Sequence, residues 1–131
     1  MAEHHARYVR TGGASGHLWN GIPTLLLTTR GRRSGILRRM PLIYSRDGDA
    51  YVVVASNGGS PGHPGWYHNL RADPDVTIQV VSEVMPARAR TAEGEERERL
   101  WAMMAAIYPN YDIFQGRTAR QIPVVVLEPT P

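Results

Sequence analysis

The segment "ILRRMPLIYSRDGDAYVVVAS", Ile36 to Ser56, decides the architecture of this chain. Two runs rich in β-branched and apolar residues flank Asp47, Gly48 and Asp49, and an Asp-Gly turn between such runs is a strong hairpin signal. A hairpin makes its strands antiparallel neighbours, so the sheet type follows at once. Pro41 has no N–H to give a ladder, which predicts an edge or a bulge in the first strand.

Outward from this hairpin, the pattern predicts strands over 22–30, 36–46, 50–56, 75–81, 83–91 and 122–129. In 75–81, Val76, Ile78 and Val80 alternate onto one face. "GRRSG" (31–35) reads as a turn joining the first two strands. A short helix is expected over 64–73, opened by Pro64 and stopped by Pro74. The long helix spans 92–108: Glu93, Glu95 and Glu96 suit its positive N-terminus, and Leu100, Met103, Met104 and Ile107 fall at helical spacing. Residues 110–121 read as a connector. The expected fold is mainly β (α+β): an antiparallel barrel of about six strands with one long and one short helix at its rim. No GxGxxG follows a strand, which excludes a Rossmann fold. Residues 1–21, polar and glycine-rich, are expected to form a flexible arm before a single domain over 22–131.

At 131 residues the chain can bury a core without a staple, and it contains no cysteine to make one. That excludes disulfides, thiolate metal sites and a cysteine nucleophile. The first ten residues have no apolar core, so no signal peptide is read there, and no run approaches membrane-spanning length; a cytoplasmic protein is expected. His4, His5 and His17 lack spaced acidic partners, and no metal site is expected. All fifteen basic residues are arginine, in a net charge of +3.

Three clusters carry candidate chemistry. Arg30, Arg32, Arg33, Arg38 and Arg39 surround the 31–35 turn; they either converge with Ser34 on an anionic ligand or form a solvated hairpin tip. "ASNGGSPGHPGW" (55–66) links a strand to a helix and could turn backbone N–H groups toward an anion, or be an ordinary surface loop. It lacks the Lys-Ser/Thr ending of a phosphate-hydrolysing loop. Trp66, Tyr67, Tyr108, Tyr111 and Phe114 could sandwich a flat heteroaromatic ligand, or pack as core. Ser56 with His63 or His68 lacks an orienting acid, and the carboxylates cluster in turns and in the long helix. What is left is a site of anion grips and aromatic walls, suited to a cofactor that brings its own chemistry.

Together, "LLLTTRGRRSG", "MPLIY", "DGDAYVVVASNGGSPGHPGWYHNLRADP" and "YPNYDIFQGRTARQIPVVVLEP" resemble the deazaflavin-dependent nitroreductase family in order and spacing, from about Thr24 to Glu128. The resemblance implies a split β-barrel related to FMN-binding barrels, with coenzyme F-420 as cofactor. It assigns the coenzyme to Arg32, Arg33, Ser34, Arg38, Pro41, Ala55, Ser56, Asn57, Gly58, Gly59, Trp66 and Asn69. Ser56, Tyr108 and Tyr111 would face the reacting atoms and act as the catalytic groups. Asn57 stands where a basic residue is frequent in the family, and Ile43 and Phe114 stand where tyrosines occur, which weakens the expectation of nitro-compound reduction more than that of coenzyme binding. The implied reaction is hydride transfer from the reduced coenzyme to a conjugated acceptor: a quinone, an enone or a nitroheteroaromatic. A quinone acceptor would bring peripheral membrane contact. The rival readings are a non-catalytic deazaflavin carrier and, more weakly, a basic nucleic-acid-binding barrel; the near-balanced acid count argues against the latter, and no nucleic acid is expected as a partner.

Overall fold

The structure, a computed structural model, describes residues 18, 19 and 21–131. The arm expected over 1–21, with His4, His5 and His17, therefore lies outside the described residues except for Leu18, Trp19 and Gly21. The strands are β1 (Leu18–Trp19), β2 (Ile22–Arg30), β3 (Leu37–Ile43), β4 (Ser45–Asp47), β5 (Ala50–Val54), β6 (Asp75–Val80), β7 (Glu83–Thr91) and β8 (Val124–Pro129). The helices are α1 (Gly65–Ala72), α2 (Gly94–Ile107) and α3 (Asn110–Gly116).

All pairings are antiparallel. β6 joins β2 (Leu27 opposite Ile78) to β7, β7 joins β8, β8 joins β5, and β5 joins β4. The single strand expected over 36–46 divides at Tyr44. Its first part, β3, pairs with β2 from Thr24–Ile43 to Arg30–Leu37, and its second part, β4, pairs with β5. One continuous segment thus closes a ring by giving one half to each neighbour. Pro41 lies in β3, which pairs with β2 alone, so its missing N–H costs no ladder bond.

β5 and β8 are buried on both faces, which explains their unbroken valine runs. Tyr51, Val53, Val125 and Leu127 point into the barrel with Leu25, Leu27 and Ile78. Val52, Val54, Val124 and Val126 point outward, under Leu100 and Met104 of α2 and Tyr111 of α3. The stripe read on α2 is narrower than its spacing predicts: Arg97, Leu100 and Met104 are buried, whereas Ile107 is exposed where the helix ends. The connector expected over 110–121 begins with helix α3, which packs on α2 and on the loop after β5.

Candidate active site

The ring of strands leaves one gap. β3 pairs with β2 only, so its other edge faces the end of β5 across a cleft of about 810 Å³. Arg38 to Ile43 form one side of the cleft. Val54, Ser56, Asn57 and Gly58 form the other. Trp66 and Asn69 of α1, with Tyr108, Tyr111 and Phe114, complete its lining. The 31–35 turn adds a recess of about 260 Å³, lined by Gly31, Arg32, Arg33 and Ser34, which shares Arg38 and Asn69 with the cleft.

The recess is shaped by a buried amide. Asn69 Oδ1 accepts from the Arg32 backbone N–H at 3.1 Å and its guanidinium at 3.2 Å, while Asn69 Nδ2 donates to Thr29 Oγ1 at 3.3 Å. Ser34 Oγ accepts from Ile36 N at 3.1 Å. A Cβ on Gly31 would come within 2.7 Å of that hydroxyl and 3.2 Å of the Ile36 carbonyl oxygen, so a larger residue there would push the serine side chain aside. Among the described residues, Arg33, Arg38 and Arg39 have no carboxylate partner. The recess therefore carries uncompensated positive charge suited to phosphate or carboxylate groups.

The loop after β5 starts in a short 3-10 turn at Asn57–Gly59, in which Asn57 and Gly58 take left-handed backbone angles, φ 48° and 65°. Gly59 cannot be larger: its φ is +81°, and a Cβ would lie 2.7 Å from the Phe114 carbonyl oxygen. In the same lining, the Tyr108 and Tyr111 rings meet edge to face at 5.0 Å, and Tyr108 lies 6.3 Å from Phe114. Asn110 Nδ2 donates to Tyr108 Oη at 3.1 Å. Burial, with Tyr108 adding to it, pushes the Tyr111 hydroxyl well above the usual tyrosine range, so it stays a phenol and a hydrogen-bond donor.

Of the residues singled out in the sequence, Arg38, Pro41, Ser56, Asn57, Gly58, Trp66, Asn69, Tyr108 and Tyr111 line the cleft. Arg32, Arg33 and Ser34 line the recess. Ala55 and Gly59 line neither: Ala55 is buried in the barrel core, and Gly59 packs under α3. The wall expected over Ala55–Gly59 is therefore Ser56–Gly58. Tyr67 turns inward to the barrel, where its hydroxyl meets Thr91 Oγ1 at 2.8 Å. Arg39, offered as one of the five converging arginines, lines the cleft, as do Thr29, Met40, Leu42 and His63, which were given no such place. Reading 38–43 as one free strand edge would have found Met40 and Leu42. Nothing in the sequence pointed to Arg120, whose guanidinium reaches the Ser56 carbonyl at 2.6 Å.

The sequence model of one family, F-420H(2)-dependent quinone reductase, matches residues 1–129. The chain is 45% identical over 128 residues to an F-420H(2)-dependent quinone reductase of Mycobacterium tuberculosis, covering 95% of this chain and 86% of that protein. Among solved structures it resembles an F-420-H2-dependent reductase (TM-score 0.75, 44% identity, 81% of this chain and 94% of that one). It also resembles a protein described as a domain-swapped dimer (TM-score 0.78, 40% identity, 97% and 93% covered).

Proposed function

The chain belongs to the F-420H(2)-dependent quinone reductase family, and on that premise we propose that its cleft binds reduced coenzyme F-420 beside a quinone-type acceptor. The observation that carries this reading is the union of two unlike spaces: a recess of guanidinium groups with no carboxylate partner among the described residues, opening into a largely apolar, aromatic cleft. A flat ring with an anionic tail needs both. The donor set fits the group: Arg32, Arg33, Ser34 and Arg38 would hold the tail, and Ser56 to Gly58 with Trp66 and Asn69 would flank the ring.

When bound, the reduced coenzyme supplies a hydride; the chain supplies everything else. Pro41, Ile43 and Phe114 present apolar surface that excludes water from the acceptor. Tyr111, held protonated by burial, and Tyr108 would donate hydrogen bonds to oxygen as negative charge develops there. The Ser56 hydroxyl, on a residue lining the cleft, would serve the same task on the coenzyme side. Ile43 and Phe114 bring no polar group to the acceptor, which favours a quinone over a nitro compound that needs further proton donors. The protein is read as cytoplasmic, meeting a lipid-dissolved quinone at the membrane surface; no described helix is long and apolar enough to cross a membrane.

The test mixes purified protein with reduced F-420 and a panel of quinones, and follows reappearance of the oxidised deazaflavin absorbance. Turnover with a quinone is expected. Tight binding of FMN with no affinity for F-420, or F-420 binding with no oxidation by any quinone, would overturn the reading.

A further inference from the structure

Arg120 lines neither the cleft nor the recess, yet its side chain makes four polar contacts to the loop that carries Ser56, Asn57 and Gly58. Its guanidinium donates to three carbonyls of the loop after β5: Ser56 at 2.6 Å, Ser60 at 2.9 Å and Ala55 at 3.3 Å. It also meets His63 Nδ1 at 3.0 Å. At the root of the loop Ala55 N donates to Pro123 O at 2.9 Å; beyond it the bonds are local: Gly59 N to Ser56 O, Ser60 N to Asn57 O, and Asn57 Nδ2 to Gly62 O. With Asn57 and Gly58 in left-handed conformations, those short bonds fix the shape of the turn, and its position on the molecule is left to Gly59 packed under α3 and to Arg120.

The other end of the clamp is equally anchored. Gln115 of α3 donates to the Arg120 carbonyl at 2.7 Å, and its Oε1 accepts from Ile122 N at 2.9 Å. Arg120 N donates to Thr118 Oγ1 at 3.3 Å. The helix that carries Tyr111 and Phe114 thereby holds the main chain of Arg120, and Arg120 holds the loop that carries Ser56.

We propose that Arg120 is a positioning residue that sets the Ser56–His63 loop against α3 and so fixes where the Ser56–Gly58 side of the cleft stands relative to the Tyr111 and Phe114 rings. A planar fork is required, because three carbonyls and a ring nitrogen are reached from one group; a lysine ammonium offers the charge without that geometry. An arginine is always a donor, so His63 Nδ1 must accept, which fixes the neutral imidazole with its proton on Nε2. Protonated, His63 would set a second cation against the guanidinium. The other groups facing it are His68, Arg71 and Tyr67 of α1, and none is an acid. Burial first, then Arg120, His68 and Arg71, hold His63 below its ordinary value of 6.5. The sign follows: below that value the released loop takes up a proton more readily than the clamped one, so acid loosens the wall.

The role of the walls rests on the proposed coenzyme reading, whereas the clamp does not, so the experiment has separate arms. In the full chain without ligand, amide exchange over residues 56–63 is expected to speed up on the order of tenfold in Arg120→Lys and Arg120→Met, with β5 and β8 amides unchanged. By NMR, the His63 titration midpoint is expected to rise toward 6.5 in Arg120→Met. Unaltered exchange in Arg120→Lys together with an unmoved His63 midpoint overturns the proposal; if Arg120→Met does not fold, the exchange of Arg120→Lys decides alone. In the second arm, fluorescence titration with F-420 is expected to show a Kd raised about tenfold in both variants. Wild-type protein that ignores F-420 overturns the coenzyme reading and leaves the exchange result standing.

Discussion

Replacing Asn69 by Ala removes the oxygen that accepts both Arg32 contacts and the amide that reaches Thr29, inside a site where Asn69 itself is only 7% exposed. Orphaned donors of this kind cost about 1–3 kcal/mol. The variant is therefore expected to unfold at lower urea and to bind F-420 more weakly, since the recess loses the residue that orients Arg32. Gly59→Ala tests steric tolerance: its Cβ would meet the Phe114 carbonyl at 2.7 Å on a left-handed backbone, and a loss of about 2 kcal/mol in the same urea assay is expected. Tyr111 governs alkaline behaviour. Its hydroxyl is pushed above its ordinary value of 10.0, so the native state keeps a proton that the unfolded chain releases. Stability attributable to Tyr111 is thus complete below the ordinary tyrosine value and declines as pH rises beyond it. Tyr111→Phe should flatten that decline in alkaline melting curves and lower kcat about tenfold with a quinone, if the phenol stabilises developing charge.

At the scale of elements, Arg90 ties three of them. From β7 it grips Glu96 at the start of α2 at 2.6 and 2.9 Å, and Glu128 of β8 at 3.1 Å. The three groups are partly solvated, so Arg90→Ala is expected to lower stability by only about 0.5–1 kcal/mol, by an amount that shrinks in high salt, as urea titrations at two ionic strengths would show. The elements were legible to unequal degrees. The hairpin at Asp47–Asp49 and the valine runs of β5 and β8 announced themselves, because turn chemistry and double-sided burial are written in neighbouring residues. The break at Tyr44 was not, since sharing one segment between two partners depends on where those partners lie. α3 escaped because it is seven residues long, follows Pro109 with no side-chain cap, and buries only Tyr111. In the site, the arginine turn and the aromatics stood out by residue type. Arg120 and His63 did not: their contacts join positions 57 to 65 residues apart, and no local pattern encodes them.

Across the whole molecule, protection from exchange should follow the pairing order. β8 lies between β7 and β5, and β5 is buried on both faces, so their amides are expected to exchange slowest. β3, paired on one side only, should exchange among the fastest of the strands. Faster exchange in β8 than in β3 would show that the ring opens elsewhere than at the cleft. That ring also imposes an order in time. The β2–β3, β4–β5 and β6–β7 hairpins join residues close in sequence, but β8 must bring Val126 to Val52 and Val125 to Thr91 before β5 has a second neighbour. Such distant pairings are slow to form. A nascent chain can therefore hold every hairpin yet own no cleft, and in refolding experiments the capacity to bind a ligand should emerge with the slowest phase.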